Sequence, residues 1–86
     1  MSRAELAKVV GRLVASLCAE SGRRTLSGKE IYEAISTVRD DITEGDMANG
    51  LYYLAGDGLV WVRKDLFYAE IEVTVPDCSR LLERSI

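Results

Sequence analysis

The hydrophobic period of this chain changes from helical to extended at Gly56-Asp57-Gly58, and that change rules out most architectures. Upstream, apolar residues recur every three or four positions, the spacing that holds them on one face of a helix. Downstream, from Ala69 to Val75, they alternate, the spacing that holds them on one face of a strand. A chain with helices first and extended segments afterwards is α+β. Its 86 residues can bury one core of useful size, so residues 1–86 are read as a single domain.

Local stop and start signals divide the helical part. Ser2-Arg3-Ala4-Glu5 has the form of a capping box, in which the hydroxyl and the carboxylate each take a free backbone N–H. Behind it Leu6, Val9, Val10, Leu13, Val14 and Leu17 mark an amphipathic helix from about Arg3 to Ala19, ended by Gly22. Thr25-Leu26 is a short extended piece. Ser27-Gly28-Lys29-Glu30 is a second capping box, and Ile31, Ala34 and Ile35 give a short helix ending near Ser36. Residues Thr37 to Ile42 are expected to turn, with Thr43 as the next N-cap and Asp46 three residues on. Met47, Leu51, Leu54 and Ala55 form the stripe of a third helix, stopped by the two glycines around Asp57.

Beyond that stop, Leu59-Val60-Trp61-Val62 is rich in β-branched and aromatic residues and predicts a strand. Arg63-Lys64-Asp65 is a turn candidate. Ala69, Ile71, Val73 and Val75 then alternate with Glu70, Glu72 and Thr74 as a strand with one polar face. Pro76 suits the first position of a last helix, whose apolar side is Cys78, Leu81, Leu82 and Ile86.

Composition excludes several classes. Hydrophobic residues, at 48%, are spread along the whole chain, which separates it from disordered sequences. No apolar run approaches the length of a membrane span, and Met-Ser-Arg-Ala-Glu is not a signal peptide; a cytoplasmic location is expected. Two distant cysteines without any histidine do not make a zinc site. Cys18 and Cys78 sit in apolar helical contexts and are expected to be reduced structural thiols; a disulfide is open only if the two terminal helices pack together, and the lack of secretion features argues against it. No cleft-forming set of nucleophile, base and acid is legible, so neither an enzyme nor a cofactor is expected.

The order of elements resembles the winged helix-turn-helix superfamily over residues 3–86. The resemblance is most specific from Met47-Ala48-Asn49-Gly50-Leu51-Tyr52-Tyr53-Leu54 through Gly58 into Leu59-Val60, similar to a recognition helix entering the first wing strand. Val73-Thr74-Val75-Pro76-Asp77 into Leu81-Leu82-Glu83 is similar to a second wing strand feeding a C-terminal helix. The resemblance implies a three-helix core with a small antiparallel β-hairpin wing and a C-terminal helix. It also implies DNA binding, as a small transcriptional regulator of phage or mobile-element type, dimerising through the first or last helix. Carried onto this sequence, Asn49 and Tyr53 would read bases, while Arg24, Lys29, Arg63 and Lys64 would hold phosphates.

The charges pull the other way. The chain carries a net charge of −3, and no Lys or Arg occurs between Asp40 and Asp57, where Asp40, Asp41, Glu44, Asp46 and Asp57 lie. Glu44 and Asp46 fall in the first turn of the third helix, where a negative charge complements the macrodipole by roughly 0.3–1 kcal/mol each. Arg23, Arg24, Lys29 and Arg39 flank the second helix and are interleaved with Glu30 and Glu33, which suits either a phosphate-contacting rim or a balanced solvated surface. Among the aromatics, Trp61 and Phe67 are expected to complete the core under the hairpin. Tyr52 and Tyr53 are adjacent on one helix, so at least one points outward. An acidic, tyrosine-bearing helix fits a second reading, a winged helix that contacts another protein.

Overall fold

The computed structural model describes residues 1–64 and 70–86. Among them are four helices and three strands: α1 (Arg3–Ser21), β1 (Thr25–Ser27), α2 (Gly28–Val38), α3 (Glu44–Gly56), β2 (Trp61–Lys64), β3 (Ile71–Thr74) and α4 (Cys78–Arg84). The fold is α+β, with the helices packed on one face of an antiparallel sheet. No described helix is long and apolar enough to cross a membrane.

Capping fixes the helix starts. Ser27 Oγ accepts from the Glu30 N–H at 3.1 Å, while the Glu30 carboxylate accepts from the Ser27 N–H at 2.9 Å. Thr43 and Asp46 make the same reciprocal pair, both bonds at 3.1 Å, at the head of α3. At α1 the box is half made: Ser2 accepts from the Glu5 N–H. α1 ends on Gly22, whose φ of 69° is in the left-handed region that glycine enters without a Cβ penalty. α2 runs two residues beyond the expected Ser36. The hydroxyls of Ser36 and Thr37 donate to the carbonyls of Tyr32 and Ala34, so these residues back-bond within the helix rather than turning the chain.

The sheet order is β1-β3-β2, so the last strand in sequence lies in the middle. Thr25, Leu26 and Ser27 pair with Thr74, Val73 and Glu72, and Trp61 to Lys64 pair with Thr74 to Ile71. The expected hairpin therefore supplies one edge and the central strand of a three-stranded sheet, with the short Thr25–Ser27 strand as the other edge. Leu26, Val73 and Val62 form one cross-strand row facing the helices. Thr25, Thr74 and Trp61 form the next row, facing out, where the two threonine hydroxyls lie 3.3 Å apart.

That register overturns one expectation. Trp61 is 63% exposed and not part of the core. Leu59 and Val60, expected as strand, precede β2 and are buried instead; Val62 follows them inward, which leaves Trp61 on the other face. Arg63 and Lys64, expected in a turn, are strand residues of β2. Pro76 is not the first helical residue: Asp77 caps α4, accepting from the Arg80 N–H, and the helix begins at Cys78. Leu82 and Ile86, expected on the buried side of the last helix, are 44% and 76% exposed. The expectations placed on Asp65, Phe67 and Ala69 lie outside the described residues.

Val10, Val14, Ile31, Ile35, Leu51, Val73, Val75 and Leu81 are fully buried, each contributing roughly 1.5–3 kcal/mol of apolar burial. Ile42, in the connection between α2 and α3, is buried with them and pins that turn to the core. α1 is central, touching α2, α3 and α4. Its two close approaches are made at glycines. A Cβ added at Gly50 of α3 would lie 3.0 Å from Val10 Cγ2, and one added at Gly11 would lie 2.1 Å from Ser85 Oγ.

Candidate functional site

The expected phosphate-contacting cations do not form one cluster. Lys29 is exposed in the first turn of α2, just after the capped Ser27. Lys64 ends β2. Both line one groove of about 500 Å³, together with Tyr32, Glu44, Met47, Ala48, Glu70 and Ile71. Arg63 and Lys64 also line a second, adjoining cavity of about 750 Å³ on the outer side of the sheet, together with Arg23, Glu30, Glu70 and Glu72. Lys64 belongs to both.

Three other cations near α2 are occupied within the chain. The Arg23 guanidinium is ion-paired with Glu30, and Arg39 grips Asp41 with two donors at 3.0 and 2.6 Å. Arg24 donates to the Pro76 carbonyl at 3.1 Å, which ties the end of β3 to the start of β1 and turns this side chain away from the Lys29 groove. Among the described residues no further ion pair forms, so Lys29, Arg63 and Lys64 carry the cationic charge of the two cavities without a carboxylate partner at bonding distance. The Arg23 guanidinium and then the Ser27 N–H hold the Glu30 carboxyl below its ordinary range, and Arg39 does the same for Asp41.

On α3, Met47, Gly50, Leu51 and Leu54 are buried, as the apolar stripe predicts. Asn49, Tyr52 and Tyr53 are exposed, the tyrosines at 48% and 43%. Asn49 and Tyr53, four residues apart, share one strip of the helix, which Asp46 begins and the capping Asp57 ends. Ala48 and Tyr52 share the neighbouring strip, and it is Ala48 that lines the groove with Lys29 and Lys64. The two base-reading candidates therefore lie one strip further round the helix than the groove. Tyr32, Ala48 and Glu44 were not among the expected site residues. Tyr32 had a legible signal, since it follows Lys29 by three positions and so flanks the stripe of Ile31 and Ile35, partly buried against the core.

One further pair of reactive groups is brought together. Cys18, buried on α1, and Cys78, half-buried at the start of α4, both pack on the core where the end of α1 adjoins the start of α4. Burial, then the neighbouring Cys78 thiol, pushes the Cys18 thiol up to about 11. Among the described residues no three His, Cys, Asp or Glu side chains converge as a metal site would require. No family model, curated protein or solved structure matches this chain.

Proposed function

We propose that this domain is a winged helix that binds duplex DNA, with α3 as the helix presented to the major groove and β2–β3 as the strands of the wing. The order α1-β1-α2-α3-β2-β3, with β3 central in the sheet, supports the winged-helix reading. The observation that carries the DNA reading is that Lys29 and Lys64 line one groove with Glu44, Met47 and Ala48 of α3, while Arg63 and Lys64 line the cavity adjoining it. Phosphates lying along the groove and the adjoining cavity would be met by three cations free of carboxylate partners among the described residues. Asn49 is the base reader in this scheme, and Tyr53, on the same strip, contacts the adjoining sugar or base. Exposed Leu82 and Ile86 support dimerisation through α4, which would set two copies on two half-sites, as expected of a small transcriptional regulator.

A specific observation favours a second reading, contact with another protein. α3 carries Glu44, Asp46 and no cation, and its exposed face holds two tyrosines, the chemistry of an interface anchor rather than a phosphate binder.

Fluorescence anisotropy with a generic labelled duplex separates the two. If three cations meet phosphates, affinity falls roughly 40-fold between 50 and 200 mM salt, because each neutralised phosphate contributes about 0.9 to the log–log slope. Arg63→Ala with Lys64→Ala should flatten that slope by about 2. Absence of binding at 50 mM salt would sink the DNA reading. Binding that the double variant leaves unchanged would remove β2 from the interface.

A further inference from the structure

α1 and α4 run antiparallel along one seam. At one end Gly11 meets Leu81 and Ser85; at the other the Val75 N–H donates to the Arg24 carbonyl at 2.8 Å, which sets the end of α1 beside the start of α4. Positions 11 and 18 are two helical turns apart on α1, as are 78 and 85 along α4, so the register that brings Gly11 to Ser85 sets Cys18 opposite Cys78 on the same pair of facing strips. Both cysteines pack on the core there, and they differ in access: Cys18 is buried, Cys78 half-buried.

We propose that Cys18 and Cys78 form a reversible intramolecular disulfide that fastens α4 to α1, made by exchange with a low-molecular-weight disulfide. The more accessible Cys78 loses its proton and attacks one sulfur of the reagent RSSR, forming a mixed disulfide and releasing RS⁻. Cys18 then loses its proton, attacks the Cys78 sulfur and expels the second RS⁻. Two protein thiols and one RSSR become one protein disulfide and two RSH. The protein loses two electrons, the reagent gains them, and the two thiol protons finish on the two RSH. Burial keeps Cys18 protonated at neutral pH, so ring closure, rather than the first attack, sets the pace and quickens as pH rises. The proposal is independent of what the domain binds, because the seam lies on α1 and α4 rather than on the α2–α3–β2 groove.

The bond would join residues from opposite ends of the described fold and so remove much of the freedom of the unfolded chain. The oxidised protein should melt on the order of 10 °C higher than the reduced one. The test incubates the full chain in graded ratios of oxidised to reduced glutathione, then traps free thiols with an alkylating reagent. Intact mass and thermal midpoint are both read. The expected product is a monomer lighter by two hydrogens, with neither cysteine alkylated and a raised midpoint that dithiothreitol reverses. Cys78→Ser should fold, melt with the reduced wild type and lose the response to oxidant. Three results would overturn the proposal: a mixed disulfide that stays on Cys78 without closing, disulfide-linked dimers, or alkylation of both cysteines throughout the series. The mass measurement on the wild type decides even if the serine variant folds poorly.

Discussion

Ser85 is fully buried, and its hydroxyl has no hydrogen-bond partner among the described residues. A hydroxyl in that position loses its water without recovering the bond, which costs roughly 1–3 kcal/mol. Ser85→Ala should therefore leave the protein as stable or about 1 kcal/mol more stable in urea denaturation. Gly11→Ala should do the opposite. Alanine is a better helix former than glycine by about 1 kcal/mol, but the new methyl would meet Ser85 Oγ at 2.1 Å and Ser85 Cβ at 3.0 Å. α4 would have to move, and overpacking of that kind costs about 1–3 kcal/mol, which exceeds the gain. A stabilised Gly11→Ala protein would mean that α4 is not seated on α1. Among the charged residues, Glu30 and Asp41 bind their protons less tightly than free carboxylates, because Arg23 and Arg39 respectively stand beside them. An unfolded Glu30 titrates at the ordinary 4.5 and the folded one lower, so between the two the unfolded chain holds more protons. Its contribution is full above 4.5 and is lost as pH falls through the lowered value. Glu30→Gln should flatten that part of the acid denaturation curve, and an NMR titration of Glu30 should show the depressed midpoint directly.

At the level of elements, capping and register make opposite demands on the sequence. The boxes at Ser27–Glu30 and Thr43–Asp46 are closed between residues three apart, and both were legible as patterns of four letters. Thr43→Ala should cost about 1 kcal/mol and loosen the first turn of α3, seen as faster amide exchange at Asp46 and Met47. The facing of β2 was not legible. Leu59-Val60-Trp61-Val62 is apolar throughout and offers no alternation; only the pairing of Val62 with Val73 decides that Trp61 points out. As the single tryptophan of the chain, Trp61 should be quenched readily by acrylamide and by iodide in the native state, with little shift in emission on unfolding. Blue-shifted, protected emission would contradict the register. Gly11, Gly50 and Ile42 were illegible for a related reason: each is explained by a partner distant in sequence or by the way a turn lies on the core. The candidate site divides likewise. Lys29 and Tyr32 share a helix face that spacing reveals, whereas the place of Lys64 in the same groove depends on how the sheet meets α2 and α3.

For the molecule as a whole, the open question is how an acidic α3 fits beside a cationic groove. Glu44 lines that groove and also sits in the first turn of α3. Removing its charge should separate the two roles. Glu44→Gln should tighten duplex binding by roughly fivefold, about 1 kcal/mol of relieved repulsion near a phosphate. It should also lower stability by roughly 0.3–1 kcal/mol through the helix dipole. Weaker DNA binding by this variant would favour the protein-contact reading. The sheet order has a consequence of its own for how the domain comes into being. Strand β1 pairs only with β3, Thr25 opposite Thr74, and α1 carries the seat of α4. During synthesis, then, the first helix and first strand leave the ribosome long before their partners exist. Leu26 and the α4 side of α1 wait in solvent or on a chaperone until residues 71–85 emerge. A nascent chain halted after α3 can pack α1 on α2 and α3, but it lacks the strand that makes the sheet and the helix that covers the other side of α1.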